Sequence, residues 1–288
     1  MYNKHSETPT FTLIFLTWNS EDYIERTLES VLSQDYADYE LLVIDNNSND
    51  ETTKLIKNNY LPSNKLRIVR NNKNLGFIKG INKGVNLSRG NYICCYNDDT
   101  NFPPDYLSTL YSYVDQNSVW TTARMNHRVS TENKCVRLLN RWGFPVPYNV
   151  DSCSGTVNVN YIPGDGIIIP RDIYKLLDEE FLFDPAMIDK GEDIELSLRL
   201  QSHGIKLRAI LDTYSIHPDE GFYSLKLTNL LKHLQNVVAR YKAYRVNGAH
   251  FLTRLKIIIS AFVVPAVILG PNFPRSASRF KTKSTKFD

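Results

Sequence analysis

Two short polar runs in this chain of 288 residues carry side chains that could do chemistry. The run NDD at residues 97–99 follows an apolar stretch and offers hard oxygen ligands of the kind that Mg²⁺ or Mn²⁺ binds. Such a metal commonly bridges a protein and a diphosphate, and it neutralises a departing phosphate group. The run DNNS at residues 45–48 offers donors and acceptors for a nucleobase or a ribose. Taken alone, each run is more typical of turns and helix caps.

The elements that precede these runs give them a common location. Short apolar runs rich in β-forming residues alternate with segments of helical periodicity, which predicts an α/β fold with a Rossmann-like, mostly parallel sheet and helices on both faces. Ligands of such sheets bind beyond the carboxyl ends of the strands, where WN at 18–19 and both polar runs fall. The predicted strands are 11–17, 39–44, 66–70, 92–96 and 161–170, and the predicted helices are 52–59, 76–87, 103–115, 193–203 and one that Ser20 begins as its N-cap.

The composition excludes a largely disordered chain, and the charge divides it into two parts. Apolar residues make up 42% of the chain and aromatic residues 11%, enough for a sizeable core. Residues 222–288 hold twelve Lys or Arg and one Asp, which gives +11 and leaves −8 for residues 1–221 out of the net +3. We therefore predict a globular domain over 1–221 and a basic tail over 222–288. Such a tail is typical of contact with an anionic surface, and a solvated basic face is the alternative.

The tail has the pattern of an amphipathic helical extension. Apolar residues recur at helical spacing from 224 to 245, and fourteen uncharged residues follow at 257–270, interrupted by Pro265. That stretch is too short to span a bilayer, which takes about 20 apolar residues. We predict a membrane-proximal segment that docks on an anionic membrane surface. The alternative is packing against the globular domain or a second subunit, so a homo-oligomer stays open.

The cysteines and the first residues predict a compartment. The spacing of the four cysteines fits neither a zinc site nor a disulfide framework, and we expect free thiols in a reducing environment. The first ten residues lack the apolar core of a signal peptide. We expect a cytoplasmic protein, held peripherally on the inner face of the cell membrane.

Four separated motifs occur in the order of a known family. Residues 10–217 closely resemble the family-two, nucleotide-sugar-dependent glycosyltransferases of GT-A fold, and NLGFIKGIN and YNDDT are most similar to the bacterial rhamnosyltransferase-like branch. The resemblance implies inverting transfer of a sugar, from dTDP-rhamnose or a UDP-hexose, to a hydroxyl group of a lipid-linked glycan acceptor in cell-surface polysaccharide synthesis. The motifs are LIFLTWNSEDYIERTLESVLSQDYADYELLVIDNNSNDET, NLGFIKGINKGVNLSRGNYICCYNDDT, YIPGDGIIIPRDIY and FLFDPAMIDKGEDIELSLRLQSHGIKL.

The resemblance also assigns the nucleotide-binding residues. It makes residues 10–124 the nucleotide-sugar-binding half of the domain, in which Thr17 and Asn19 would line the nucleotide pocket. Asp45 and Asn46 would hold the nucleobase and the ribose. The family usually has two acids at these positions, and Asn46 departs from that pattern.

A metal site is the next implication of the resemblance. The run at 97–99 stands where the family has its D-x-D motif, and Asn97 replaces the first acid. Asn97 and Asp98 would contact the nucleotide sugar, and Asp99, alone or together with Asp98, would bind the metal, Mn²⁺ or Mg²⁺. His217 stands where many members place a histidine that reaches the metal or the diphosphate.

Residues 125–221 would form the acceptor-binding half. Asp193 would be the general base, which accepts the proton of the acceptor hydroxyl as the hydroxyl attacks the anomeric carbon. Glu192, Gly164, Asp165 and Trp142 would line the acceptor side. Asp193 as a helix-capping acid, and Trp142 as a residue that only packs a loop, are the structural alternatives.

Two other function classes compete with this interpretation. A metal-dependent sugar-phosphate nucleotidyltransferase also uses a doubly wound sheet with a metal at carboxylates. It needs no base such as Asp193, and its usual glycine-rich, basic phosphate loop is missing after the first strand. A non-enzymatic protein could use the tail to bind nucleic acid, but the tail has no recognisable nucleic-acid motif, and we expect no such partner.

Overall fold

A computed structural model gives the fold of most of the chain. Among the described residues, no helix is long and apolar enough to cross a membrane. Trp142 and the predicted tail, apart from Val238 and Lys242, lie outside the described residues. The structure describes residues 8–60, 63–125, 133–140, 143, 145–177, 181–187 and 191–217, together with those two.

The first half of the domain is a regular alternation of strands and helices. The elements are β1 (Phe11–Thr17), α1 (Ile24–Leu32), β2 (Tyr39–Asp45), α2 (Thr52–Asn59), β3 (Leu66–Arg70), α3 (Gly76–Leu87), β4 (Tyr92–Asn97) and α4 (Tyr106–Tyr113). The four strands pair in parallel in the order β3-β2-β1-β4. Every residue of β2 is buried, as expected for a strand covered on both faces.

The second half extends the same sheet with mixed strand directions. The elements are β5 (Ser118–Met125), β6 (Lys134–Leu139), β7 (Pro145–Asn149), β8 (Thr156–Asn158), β9 (Ile167–Pro170), α5 (Arg171–Leu176), α6 (Glu192–Ser202) and β10 (Lys206–Ile216). β9 lies antiparallel between β4 and β5, and β10 runs parallel to β5, so the full order is β3-β2-β1-β4-β9-β5-β10-β8. β6 and β7 form a hairpin that pairs with the end of β5.

Two apolar layers, one on each face of the sheet, form the core. Along β1 the side chains alternate, so that Leu13 and Phe15 join one cluster and Ile14 joins the other. α3 packs very closely on β1, because a Cβ atom added at Gly84 would lie 2.6 Å from Ile14 Cγ2. Helices on both faces of a mostly parallel sheet confirm the predicted fold class. The four cysteines are thiols, as predicted, and none of them is joined in a disulfide.

Three predicted elements have other bounds in the structure, and two of them concern the site. The third is the helix predicted over 103–115, which covers only Tyr106–Tyr113. Ser20 does not cap α1, which begins at Ile24, because the Ser20 hydroxyl donates to Asp98 instead. The strand predicted over 161–170 covers only Ile167–Pro170, and residues 161–166 form a loop that approaches α6.

The i,i+4 pair of Glu195 and Arg199, typical of an exposed helix face, forms at 2.9 Å but is buried. Glu195 is 1% exposed, because its side of α6 faces the domain. Arg199 also donates to the carbonyl oxygen of Leu182. This pair anchors the helix that carries Asp193.

Candidate active site

The carboxyl ends of three neighbouring strands bring the donor-side residues together. Thr17 of β1 lies beside Asp45 of β2, and Leu16 lies beside Asn97 of β4. Main-chain hydrogen bonds between Asn101 and Ile216 bring the end of β10, with His217, to the same edge. The sheet thus places side by side the loops that the sequence singled out.

Asp45 and Asn46 are held by their own loops. Asp45 is fully buried and accepts hydrogen bonds from the Ser48 hydroxyl at 2.7 Å and from the Thr53 hydroxyl at 2.8 Å. The Asn46 amide donates to Asn74 Oδ1 at 3.0 Å and to a main-chain carbonyl of α3, and it accepts from the Asn71 amide and a main-chain N–H. An aspartate at position 46 could not make the two donated bonds. Their contacts with a nucleobase and a ribose stay a prediction.

The loops after β1 and β2 are bonded to each other and adopt strained backbone conformations. Asn19 and Asn47 have φ angles of 54° and 68°, in the left-handed region that asparagine tolerates. The Asn19 N–H donates to Ser48 Oγ at 3.0 Å, and Asn19 Oδ1 accepts from the Asn49 N–H at 2.8 Å. Trp18, in the loop after β1, has a side chain that is 52% exposed. An exposed indole at this edge offers a face on which a planar ring can stack.

Asp98 connects the end of β4 to the loop after β1. Its Oδ2 atom accepts from the Ser20 hydroxyl and from the Trp18 N–H, the latter at 3.3 Å. Its main-chain carbonyl accepts from Thr27 Oγ1 at 2.8 Å. Burial raises the pKa of Asp98, and the hydrogen bond from Ser20 opposes that rise. In this structure Asp98 shapes the nucleotide-side loop, and its contact with a nucleotide sugar stays a prediction.

Asp99 and His217 converge as a pair of metal ligands would. Asp99 Oδ1 lies 3.1 Å from His217 Nε2, and this buried carboxylate oxygen makes no hydrogen bond of good geometry. Asn97 Nδ2 lies 3.0 Å from the same nitrogen. Among the described residues, no group of three His, Cys, Asp or Glu side chains is placed to hold a metal. A carboxylate and an imidazole fit a divalent cation whose other ligands are substrate and water oxygens.

Asp165 is bound to Arg124 in a largely buried ion pair. The guanidinium donates to both carboxylate oxygens, with Arg124 Nη1 3.2 Å from Asp165 Oδ1. Asp165 Oδ2 also lies 3.5 Å from His217 Nε2. Burial raises the pKa of Asp165, but attraction to the Arg124 guanidinium outweighs burial and holds that pKa below the usual value. Asp165 is therefore a permanent negative charge beside the histidine.

Asp193 stands in the first turn of α6, after a tight turn at Gly191, whose φ of 82° favours glycine. Asp193 Oδ2 accepts a hydrogen bond from the Tyr161 hydroxyl, and Oδ1 accepts from the Ile194 N–H at 2.8 Å. Burial raises the pKa of Asp193. A carboxyl group with a raised pKa is suited to accept a proton.

The turn at 164–165 joins the two halves of the site. A Cβ atom added at Gly164 would lie 3.4 Å from Glu192 Oε1 and 3.7 Å from Asp193 Cβ. The next residue, Asp165, reaches toward His217. The acidic residues of the two halves therefore belong to one continuous neighbourhood.

Sequence reasoning missed Arg124 and Tyr161 as site residues. A signal existed for Arg124, because an arginine in a buried strand needs an anionic partner. Tyr161 gave no such signal, since its hydroxyl finds Asp193 only through the path of the loop before β9.

Comparison with known proteins gives a family match and several relatives. The family model described as Glycosyl transferase family 2 matches residues 12–177. An uncharacterized glycosyltransferase of Haemophilus influenzae is 23% identical over 259 residues, which cover 87% of this chain and 77% of the relative. The putative colanic acid biosynthesis glycosyl transferase WcaA of Escherichia coli is 27% identical over 108 residues, which cover 38% of this chain and 39% of the relative. The chain thus spans well under half of some curated relatives that it matches.

Solved structures share the fold. GalNAc-T7, crystallised with UDP, GalNAc and Mn²⁺, superposes with a TM-score of 0.64 at 16% identity over 84% of this chain and 48% of that chain. Residues 1–349 of TarS from S. aureus, in complex with UDP-GlcNAc, give a TM-score of 0.55 at 16% identity over 88% of this chain and 71% of that chain. The predicted GT-A fold is confirmed.

Proposed function

The chain belongs to glycosyl transferase family 2, and from that premise we propose that it moves a sugar from a nucleoside-diphosphate sugar to a hydroxyl group of a glycan acceptor. The observation that carries the proposal is the turn at 164–165, which packs on Asp193 on one side and reaches His217 and Arg124 on the other. Family membership leaves the nucleotidyltransferase and non-enzymatic alternatives without support.

The donor would bind at the carboxyl edge of β1, β2 and β4. Thr17 and Asn19, with the loops held by Asp45 and Asn46, would form the nucleotide pocket, and the exposed Trp18 ring could stack on the base. Solved structures of the same fold contain UDP or UDP-GlcNAc, which supports a pyrimidine nucleotide. We propose dTDP-rhamnose or a UDP-hexose as the donor.

The diphosphate would lie over Asn97, Asp99 and His217. Asp99 and His217 would hold Mn²⁺ or Mg²⁺, which when bound neutralises the charge of the diphosphate. Arg124 keeps Asp165 paired, so that the carboxylate beside the diphosphate does not add an uncompensated negative charge. Asn97 adds none, since it is an amide.

Asp193 would accept the proton in the chemical step. As the acceptor oxygen bonds to the anomeric carbon, the bond from that carbon to the diphosphate breaks, and the hydroxyl proton passes to Asp193. The nucleoside diphosphate leaves with the bonding pair. One displacement from the opposite face inverts the anomeric configuration, and no covalent sugar–enzyme intermediate is needed.

The description of one relative suggests the acceptor class. The E. coli relative is described as a putative colanic acid biosynthesis glycosyl transferase. A lipid-linked glycan acceptor would place the protein at the inner face of the cell membrane, where the +11 charge of residues 222–288 would favour anionic lipids at about 1 kcal/mol per basic residue near the surface.

Vesicle co-sedimentation tests this membrane proposal. The full chain should pellet with vesicles containing phosphatidylglycerol and stay in the supernatant with neutral phosphatidylcholine. Binding to both vesicles, or to neither, would contradict an electrostatic attachment. A variant with five basic residues changed to glutamine should pellet less, and those residues are Arg275, Arg279, Lys281, Lys283 and Lys286.

A thermal-shift screen tests the donor and the metal together. We expect dTDP-rhamnose or UDP-glucose to raise the Tm of the full chain, and to raise it further with MnCl₂ or MgCl₂ present, because ligands that bind only the folded state stabilise it. The matched variant Asp99→Asn should lose the metal-dependent part of the rise. An unchanged Tm with every nucleotide sugar would overturn the proposal.

A further inference from the structure

One face of α6 is hydrogen-bonded along its length to residues 160–162. Asp193, Ser197 and Gln201 stand one helical turn apart on this face, and each bonds to the segment. The contacts are Tyr161 Oη to Asp193 Oδ2, the Ile162 N–H to Ser197 Oγ at 3.0 Å, and Gln201 Nε2 to the Asn160 carbonyl at 3.2 Å. The segment is thus fixed in register with the helix that carries the candidate base.

Within residues 160–162, the Tyr161 hydroxyl is the group that donates a hydrogen bond to the Asp193 carboxylate. Tyr161 is 2% exposed and packs within the apolar cluster under α6, so its ring cannot swing away without opening that cluster. The other oxygen of Asp193 is held by the Ile194 N–H at 2.8 Å. Each carboxylate oxygen keeps a second lone pair, so both bonds can persist while a substrate hydroxyl approaches.

Two charged groups and two neutral hydrogen-bond donors act on Asp193. Burial raises the pKa of Asp193 most, and Asp165, in the turn before β9, raises it further by repulsion. The Tyr161 hydroxyl and the Ile194 N–H lower that pKa by hydrogen bonding, and Arg137 of β6 lowers it by attraction. Tyr161 is therefore one of the few groups that support the ionised form inside this buried site.

We propose that Tyr161 is a positioning residue for Asp193, because its hydroxyl fixes the orientation of the carboxylate and stabilises its charged form. The inference rests on the proposed function, in which ionised Asp193 accepts the proton of the acceptor. Tyr161 itself exchanges no proton with the substrate.

Titration of Asp193 by NMR tests the role directly and needs no substrate. In the full chain labelled with ¹³Cγ-aspartate, Asp193→Asn identifies the resonance. Tyr161→Phe should shift the Asp193 pKa upward, since the charged form loses a donor. Tyr174→Phe is the matched control: it removes another buried phenol, bonded to Asn86 Oδ1 at 2.9 Å in the same cluster, and should leave the titration unchanged.

A Tyr161→Phe protein with the Tm of the control and a wild-type titration would overturn the proposal. If Tyr161→Phe fails to fold, 3-fluorotyrosine at position 161 keeps the ring and makes the hydroxyl a stronger donor, so the Asp193 pKa should fall; an unchanged value would overturn the proposal. The two hypotheses fail separately. Full sugar transfer by Asp193→Asn would remove the base from the proposed function, while the NMR shift would still establish the hydrogen bond.

Discussion

Two partly buried aspartates on the acceptor side differ in the residue that each one contacts. Asp165, in the turn before β9, faces the guanidinium of Arg124, and its pKa is lowered despite burial. Asp193, at the start of α6, faces the neutral hydroxyl of Tyr161, and burial raises its pKa. The difference shows how one small region can keep one carboxylate charged and leave another ready to take a proton.

The largest difference between Asp193 and Asp165 should appear in the rate of catalysis. Asp193→Asn should lower the rate of sugar transfer by about 10²–10⁴-fold, the usual contribution of a general base. Donor binding should persist, because Asp193 lies on the acceptor side. Transfer assays paired with Tm shifts by the donor measure both. A rate within a few-fold of wild type would assign Asp193 to helix capping alone.

Breaking the ion pair of Arg124 and Asp165 should lower the stability of the folded protein and not only its activity. Arg124→Met leaves Asp165 as an unpaired buried charge and should lower the free energy of unfolding by about 3–5 kcal/mol. Urea denaturation measures this. The double variant Arg124→Met/Asp165→Leu should recover most of the loss, because neither charge then remains. A single variant as stable as wild type would mean that Asp165 is not bound to Arg124.

On the donor side, the uncharged side chain of Asn46 makes four hydrogen bonds and can be compared with the two aspartates. Asn46→Asp removes the two bonds donated to Asn74 and α3 and points a carboxylate at their oxygens. We expect a loss of about 1–3 kcal/mol in unfolding free energy, the cost of leaving buried polar groups unsatisfied. Asn74→Ala, which removes one acceptor and adds no charge, is the milder control. A fully stable Asn46→Asp protein would show that the loop rearranges freely.

The smallest predicted effect is a gain in the free energy of unfolding, and its sign follows from the raised pKa of Asp193. A carboxyl group whose pKa is raised on folding stabilises the folded state below its unfolded pKa, and that contribution is lost as the pH rises through the folded value. Asp193→Asn should therefore be more stable than wild type at neutral pH, by about 0.5–2 kcal/mol, a range common for single stabilising substitutions. The gain should vanish near pH 3. A gain independent of pH would have another cause.

Much of the donor half could be predicted from the sequence. Apolar strands such as Phe11–Thr17, and helical periodicity in Gly76–Leu87, are local signals, and both elements occur with the predicted bounds. The direction of β9 could not be predicted, because an apolar run such as IIIP reads the same in either orientation. The roles of Ser20 and Tyr161 also escaped, since each hydroxyl finds its partner through contacts more than thirty residues away in sequence.

The position of β9 bears on how the chain is assembled. Ile167–Pro170 pairs with β4, which is otherwise an edge strand of the first four strands. The free edge of β4 therefore stays unpaired until residues 167–170 have been synthesised. An open edge of buried, apolar strand is a template for aggregation. A nascent or truncated polypeptide that stops before residue 167 should therefore need chaperone protection, and the nucleotide-binding half should resist expression as an independent fragment.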